Sequence, residues 1–241
     1  MKELLTWGPN PQWAAPVLDV SLAWSEPSEA GSPFLPVSLL ADFATLASSG
    51  GFAGSHRAPA RAAAEFVHKQ VGSRSGRWVL ALREAEPGAA LVLMNVLLFS
   101  HAAIVPLSQL AIHSSLSGAG QQPARPIGHV PPPFSCSIAP ESSEVHLRVQ
   151  FAAEPSVHQA ETIASVLKAW CFLTAAHGFE KAGTEPESPL LFFTDDPSFL
   201  LSEAELVLDD ASFDEAAFDA LVNALVSIHE RVLPIVALEI D

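Results

Sequence analysis

Residues 145–151 read Val-His-Leu-Arg-Val-Gln-Phe, with Val145, Leu147, Val149 and Phe151 alternating with His146, Arg148 and Gln150. Strict alternation predicts a strand with one face on a core and the other toward water. The period then lengthens. Ile163, Val166, Leu167, Trp170 and Thr174 recur at helical spacing, and Gly178 is a natural stop for that helix. Residues 190–193 form a short apolar run, broken by Asp195-Asp196-Pro197, and residues 205–208 read as a further strand. Ser212 with Glu215 three positions later spells a capping box, and Asp214 suits the positive end of the helix dipole. Phe213, Ala217, Ala220, Leu221, Ala224, Leu225 and Ile228 follow as the buried stripe of that helix. Pro234 prevents simple continuation, and residues 233–240 read as the last strand.

The same order is legible earlier. Residues 17–24, 77–82 and 104–112 read as strands, and residues 36–49 and 89–101 as helices. Residues 60–71 are dense in Ala and read as more helical than extended, so the second strand of this part is short, displaced or replaced by a helix.

The two patterns overlap when the chain is compared with itself. At a shift of 128, Leu93, Asn95, Leu97, His101, Pro106, Leu110 and Ile112 fall on Leu221, Asn223, Leu225, His229, Pro234, Leu238 and Ile240. At a shift of 127, Leu46 falls on Leu173 and Gly51-Phe52 on Gly178-Phe179. The expected fold is α+β, an internal duplication of a ferredoxin-like β-α-β-β-α-β unit. It has two antiparallel sheets with helices on one face, packed as a pseudo-dimer. The expected division is residues 1–113, with a Trp7- and Trp13-bearing arm at a sheet edge, a Pro/Gly/Ser-rich linker at 114–135, and a second, acidic repeat at 136–241.

Composition sharpens this picture. The chain has 241 residues, 49% of them hydrophobic and 16% charged, which is enough for a sizeable core. Its formal charge of −15 argues against nucleic acid as a partner, because phosphate binding needs a basic surface. No Asp, Glu, Lys or Arg lies between Pro87 and Arg125, and part of that stretch is long enough to span a bilayer. Asn95, His101 and Pro106 interrupt it, and the matching stretch of the second repeat carries Asp219, Glu230 and Arg231. A helix followed by a strand accounts for both, so no membrane span is expected. No signal peptide is visible and the cytoplasm is the expected location. Cys136 and Cys171 read as buried free thiols.

The charge is uneven. Between Ala182 and Glu230 there is no Lys or Arg, and the stretch to Glu230 holds 12 of the 27 acids. Glu185, Glu187, Asp195, Asp196, Glu203, Glu205, Asp209, Asp210, Asp214, Glu215 and Asp219 are the candidate partner-binding residues. The corresponding stretch of the first repeat is basic: Arg57, Arg61, Lys69, Arg74, Arg77 and Arg83 face only Glu65. A solvated surface, a docking face for a basic protein, and a homo-oligomer joined through opposite-charge faces all fit this layout.

Catalytic signatures are scarce. The nine His form no H-x-x-x-H or H-E-x-x-H, and there is no C-x-x-C or G-x-S-x-G, so no metal, cofactor or nucleophile is assigned. Gly50-Gly51-Phe52-Ala53-Gly54 follows a helix and reads as its C-terminal cap. His101 and His229 are the candidate interface or pocket residues, each near a helix C-terminus. The leading expectation is a non-catalytic acidic interaction module, such as a bacterial immunity or inhibitor protein binding a basic toxin or enzyme. The alternative is a small-molecule binder or enzyme with a pocket between two ferredoxin-like sheets.

Overall fold

The computed structural model describes residues 4–9, 16–24, 34–55, 57–116, 128–139, 144–180, 192–193, 196–209 and 214–241. The fold is α+β, with two mixed sheets and, among the described residues, four α-helices. The first half runs β1 (Leu5–Pro9), β2 (Val17–Trp24), α1 (Pro36–Ser48), β3 (Ala63–Val71), β4 (Ser75–Arg83), α2 (Gly88–Ala103) and β5 (Leu107–Ser114). The second runs β6 (Ser135–Ile138), β7 (Val145–Phe151), α3 (Val157–Ala175), β8 (Phe192–Phe193), β9 (Ser198–Leu200), β10 (Glu203–Asp209), α4 (Glu215–Arg231) and β11 (Ile235–Ile240). The sheet orders are β1-β5-β2-β4-β3 and β6-β11-β7-β10-β8, with β9 also on β10.

The expectation of two antiparallel sheets is corrected at one edge of each. β1 pairs parallel with β5, and β6 parallel with β11. Both added strands are short and lack clear alternation, so only the neighbouring edge, with backbone groups to satisfy, recruits them. The N-terminal arm does lie at a sheet edge: Trp7 sits on β1 opposite Ile112. Trp13 lies outside the described residues. Within the expected linker, residues 117–127 lie outside the described residues, and strand β6 begins at Ser135.

Residues 63–71 are also corrected, from helical to extended. β3 pairs with β4 along its length, with a bulge between Phe66 and His68. Alanine propensity is a weak prior, and a nine-residue strand on an existing sheet satisfies the backbone equally well. The first half therefore keeps its second strand.

Alternation along the central strands sorts the faces. Leu18, Val20 and Leu22 of β2 and Val145, Leu147, Val149 and Phe151 of β7 are buried against the helices. Trp78 on β4 covers Gly76, where a Cβ would stand 2.0 Å from the indole ring. α1 buries Leu39, Leu40, Phe43, Leu46 and Ala47. α2 is buried almost all round, which explains the charge-free stretch without a bilayer. Among the described residues no helix is long and apolar enough to cross a membrane.

The helices of the two halves meet. α1 packs on α3, Arg231 of α4 donates to the Ser48 carbonyl at 3.1 Å, and Phe34 lies edge-on to both Phe99 and Phe172. Trp170 on α3 donates its indole N–H to the Ala217 carbonyl of α4 at 2.7 Å. One core of large apolar residues runs through both halves. Each fully buried Leu, Phe or Trp in it contributes about 1.5–3 kcal/mol of transfer free energy.

Both first helices end alike. The Gly50 N–H donates to Ala47 and that of Gly51 to Leu46; His177 donates to Thr174 and Gly178 to Leu173. These bonds close Schellman caps. The left-handed residue is Gly50 (φ 85) in one and His177 (φ 57) in the other, so Gly178 is not the conformational stop the spacing suggested. Gly178 is needed for closeness: a Cβ there would lie 2.9 Å from Val96 and 3.0 Å from Val92 of α2. At Gly51 a Cβ would lie 3.2 Å from the Ala220 carbonyl of α4. α4 begins at Glu215 with Asp214 as its cap, accepting from the Ala216 N–H at 3.0 Å. The capping role expected of Ser212 lies outside the described residues and falls in fact to Asp214.

Candidate interaction surfaces

The candidate acids separate into distinct settings. Glu185, Glu187, Asp195 and Asp210 lie outside the described residues. Asp196 is paired with Lys168 of α3 at 2.7 Å. Asp219 is hydrogen-bonded to His129, and its side chain is only 14% exposed. Asp214 caps α4. Glu205 sits on the outer face of the second sheet, directly across from Arg148 of β7. It accepts from Arg148 Nε at 3.4 Å and contacts His146 Nδ1 at 3.2 Å. Arg148 also reaches Asp241 at 3.4 Å, and His146 Nε2 lies 3.1 Å from Glu144. The hydrogen bonds to Glu205 and then Glu144 raise the His146 pKa.

The structure therefore gathers Glu205 into a network with bases from β7, and hands Asp196 and Asp219 partners from α3 and from residue 129. The 182–230 stretch lacks cations of its own, but other elements supply them. Glu203, Asp209 and Glu215 form no ion pair with another described residue. They lie along β10 and at the start of α4.

The basic stretch of the first half behaves differently. Arg57, Arg61, Lys69, Arg74, Arg77 and Arg83 are all exposed. Arg77 grips Asp19 on the outer face of the first sheet. Asp19 and Glu205 raise the problem of pairing in opposite ways: Asp19 is one buried acid with its own cation, Glu205 one acid shared by two bases. The other five cations have no acid partner among the described residues, and Lys69 lies over the Phe66 ring at 5.8 Å. Arg148, Lys168 and Arg231 of the second half are all engaged.

His101 and His229 are not brought together by any contact. Each does a local job, and the same one. The Leu107 N–H donates to His101 Nδ1 at 2.8 Å, and the Ile235 N–H to His229 Nδ1 at 2.9 Å. Each imidazole thus accepts at Nδ1, closing the gap between a helix end and the strand that follows. Asn95 donates to the Gly178 and Glu180 carbonyls at 3.1 and 2.8 Å. Asn223, fully buried, donates to the Gly128 carbonyl at 2.8 Å and accepts from the Val130 N–H at 3.1 Å.

A cleft of about 190 Å³ lies where α1, α3 and α4 meet, lined by Thr45, Ser48, Ser49, Thr162, Ser165 and Arg231 among others. Thr45, Ser48, Ser49, Thr162 and Ser165 all donate back to carbonyls of their own helices. No described His lines it. Among the described residues no group of three or more His, Cys, Asp or Glu is placed to hold a metal. Cys171 is buried and its thiol pKa is pushed well up by burial. Cys136 is exposed, which corrects the expectation of two buried thiols, because the short edge strand β6 leaves it uncovered.

No family model matches the chain, and no curated protein matches it. Among solved structures, a mutant of the ferredoxin protease FusC in complex with Arabidopsis ferredoxin is 10% identical over 94% of this chain, with a TM-score of 0.20. This chain covers 34% of that one, about a third of its length. A likeness so slight carries no argument about fold or activity.

Proposed function

We propose that this protein is a non-catalytic protein-interaction module, built from two ferredoxin-like units packed as a pseudo-dimer, that docks a basic partner through its second half. An immunity or inhibitor protein directed at a basic toxin or enzyme is the concrete form of this reading.

The duplication is supported by register. Taking β2, β3, β4 and β5 as the unit's four strands, their lateral order is fourth, first, third, second, and β11, β7, β10 and β8 repeat it. Val20 pairs with Ile112 and Trp78; Leu147, 127 residues on, pairs with Ile240 and Leu206, each 128 residues on.

The observation that carries the functional reading is the split of unpaired charge. Helices fill the space between the sheets, which leaves the outer surfaces to act. On the second half, Glu203, Asp209 and Glu215 form no ion pair within 4.0 Å among the described residues, although Glu203 adds to the field on Arg148. The same packing of helix on helix gives little support to a ligand cavity between sheets.

The test is a pull-down with the wild-type chain and a Glu203→Gln, Asp209→Asn, Glu215→Gln variant. Asp196, Glu205, Asp214 and Asp219 are left alone because each has a partner or a cap to lose. A basic protein recovered by the wild type and lost by the variant is expected. Undiminished capture by the variant, or the absence of any basic partner, would sink the reading.

A further inference from the structure

The first half carries a second surface, distinct from the acidic one and opposite in sign. β3 is the last strand of its sheet, so among the described residues one edge of its nine-residue backbone has no strand partner. From His68 to Ser75 every residue is exposed. Open edges are templates for another strand, and proteins blunt them by shortness, cover, proline, bulges or edge charges such as Lys. β3 is long, contains no Pro, and is covered by no described strand. It is blunted by charge instead: Lys69, Arg74 and Arg83 lie on the hairpin, and Arg61 just before it. None of these cations has an acid partner among the described residues, in a chain of net charge −15. An array of like charges kept unpaired while acids abound elsewhere is the complement of an acidic ligand.

We propose that the free edge of β3 takes up an acidic, extended peptide segment of a partner protein as an added strand. The backbone ladder would supply binding that does not depend on sequence, and Lys69 and Arg74, at the turn end of the hairpin, would select for acidic side chains. The bulge between Phe66 and His68 interrupts the strand's pleat, so the stretch from His68 to Val71, nearest the hairpin turn, is the favoured register. Nucleic acid fits less well. It would also meet the cations, but it has no use for a row of open backbone groups, and the rest of the chain repels it.

The test uses the full chain and four labelled probes in fluorescence anisotropy at low and high salt. The probes are a peptide alternating Glu and Val and matched to the nine residues of β3, its Lys-Val counterpart, the Glu-Val peptide N-methylated at alternate residues, and oligouridine. The Glu-Val peptide is expected to bind, with each of the other three weaker by about tenfold or more. The exposed double variant Lys69→Glu, Arg74→Glu should lose about tenfold in affinity while melting like the wild type. Bound peptide should also slow amide exchange along Ala63–Val71. Equal binding of the N-methylated peptide would reduce the contact to charge alone and overturn strand addition. Equal or tighter binding of oligouridine or of the Lys-Val peptide, or no binding of the Glu-Val peptide, would overturn the choice of ligand.

Discussion

Gly178 of the second half lies against Val96 of the first, so close that a Cβ would stand 2.9 Å from Val96 Cγ1. The contact joins the loop after α3 to α2, and Asn95 of the same helix holds that loop by its Gly178 and Glu180 carbonyls. Gly178→Ala should therefore destabilise the whole chain by about 1–3 kcal/mol, as overpacking does. Val96→Ala in the same chain should recover part of the loss. Urea unfolding of the two single variants and the double variant checks this, and strictly additive effects would show that the two residues do not share a contact.

The paired histidines offer a structural prediction. His101→Leu and His229→Leu each leave a strand N–H without its acceptor, at Leu107 and Ile235. Each should cost about 1–3 kcal/mol, with similar values for the two sites because the bonds are equivalent. A loss at one site only, read by thermal unfolding, would mean that the repeated histidines are not doing the same work.

His146 provides a titration. Its hydrogen bonds to Glu205 and Glu144 hold its pKa above the ordinary 6.5, so its contribution to stability is complete below that value and fades as pH rises through the folded-state pKa. Proton NMR should place the His146 midpoint above 6.5. Glu205→Gln should lower it more than Glu144→Gln does, since the Glu205 bond is the larger cause.

Asp42 on α1 is shifted in the same direction for a different reason. It has no bonding partner among the described residues, and burial raises its pKa from 3.8 to about 7. Its proton is held more tightly in the folded chain, so stability falls as pH climbs from 3.8 toward 7 and is flat above. Asp42→Asn should stabilise the protein by about 1–2 kcal/mol at high pH and by less under acid conditions. Denaturant melts at the two extremes would refute this if the gain were the same in both.

Much of the local architecture is legible in the residues alone. The alternation of Val145 to Phe151 and of β2 places both central strands, and the stripes of α1, α3 and α4 place three helices with their buried faces. The start of α3 is also written locally: Ser156 and Gln159 form the capping box that opens it, and both bonds are present. β3 was illegible because its side chains are mostly exposed and its Ala run suits a helix; pairing with β4 decides it. β1 and β6 were illegible for a related reason, since short edge strands bury too little to impose a pattern.

The candidate acids divide along the same line. Composition identifies 182–230 as a stretch without cations, and that is a property of order along the chain. Whether an acid is free depends on what folds beside it. Arg148 meets Glu205 across two strands, Lys168 meets Asp196 from a helix, and His129 meets Asp219 from a segment ninety residues away. Sequence by itself determined the central strands, the helices and the uneven placement of charge, because periodicity and composition are local. Only the tertiary structure decided which charges are spent and which remain, because ion pairs form between residues that the fold, and not the chain order, makes neighbours.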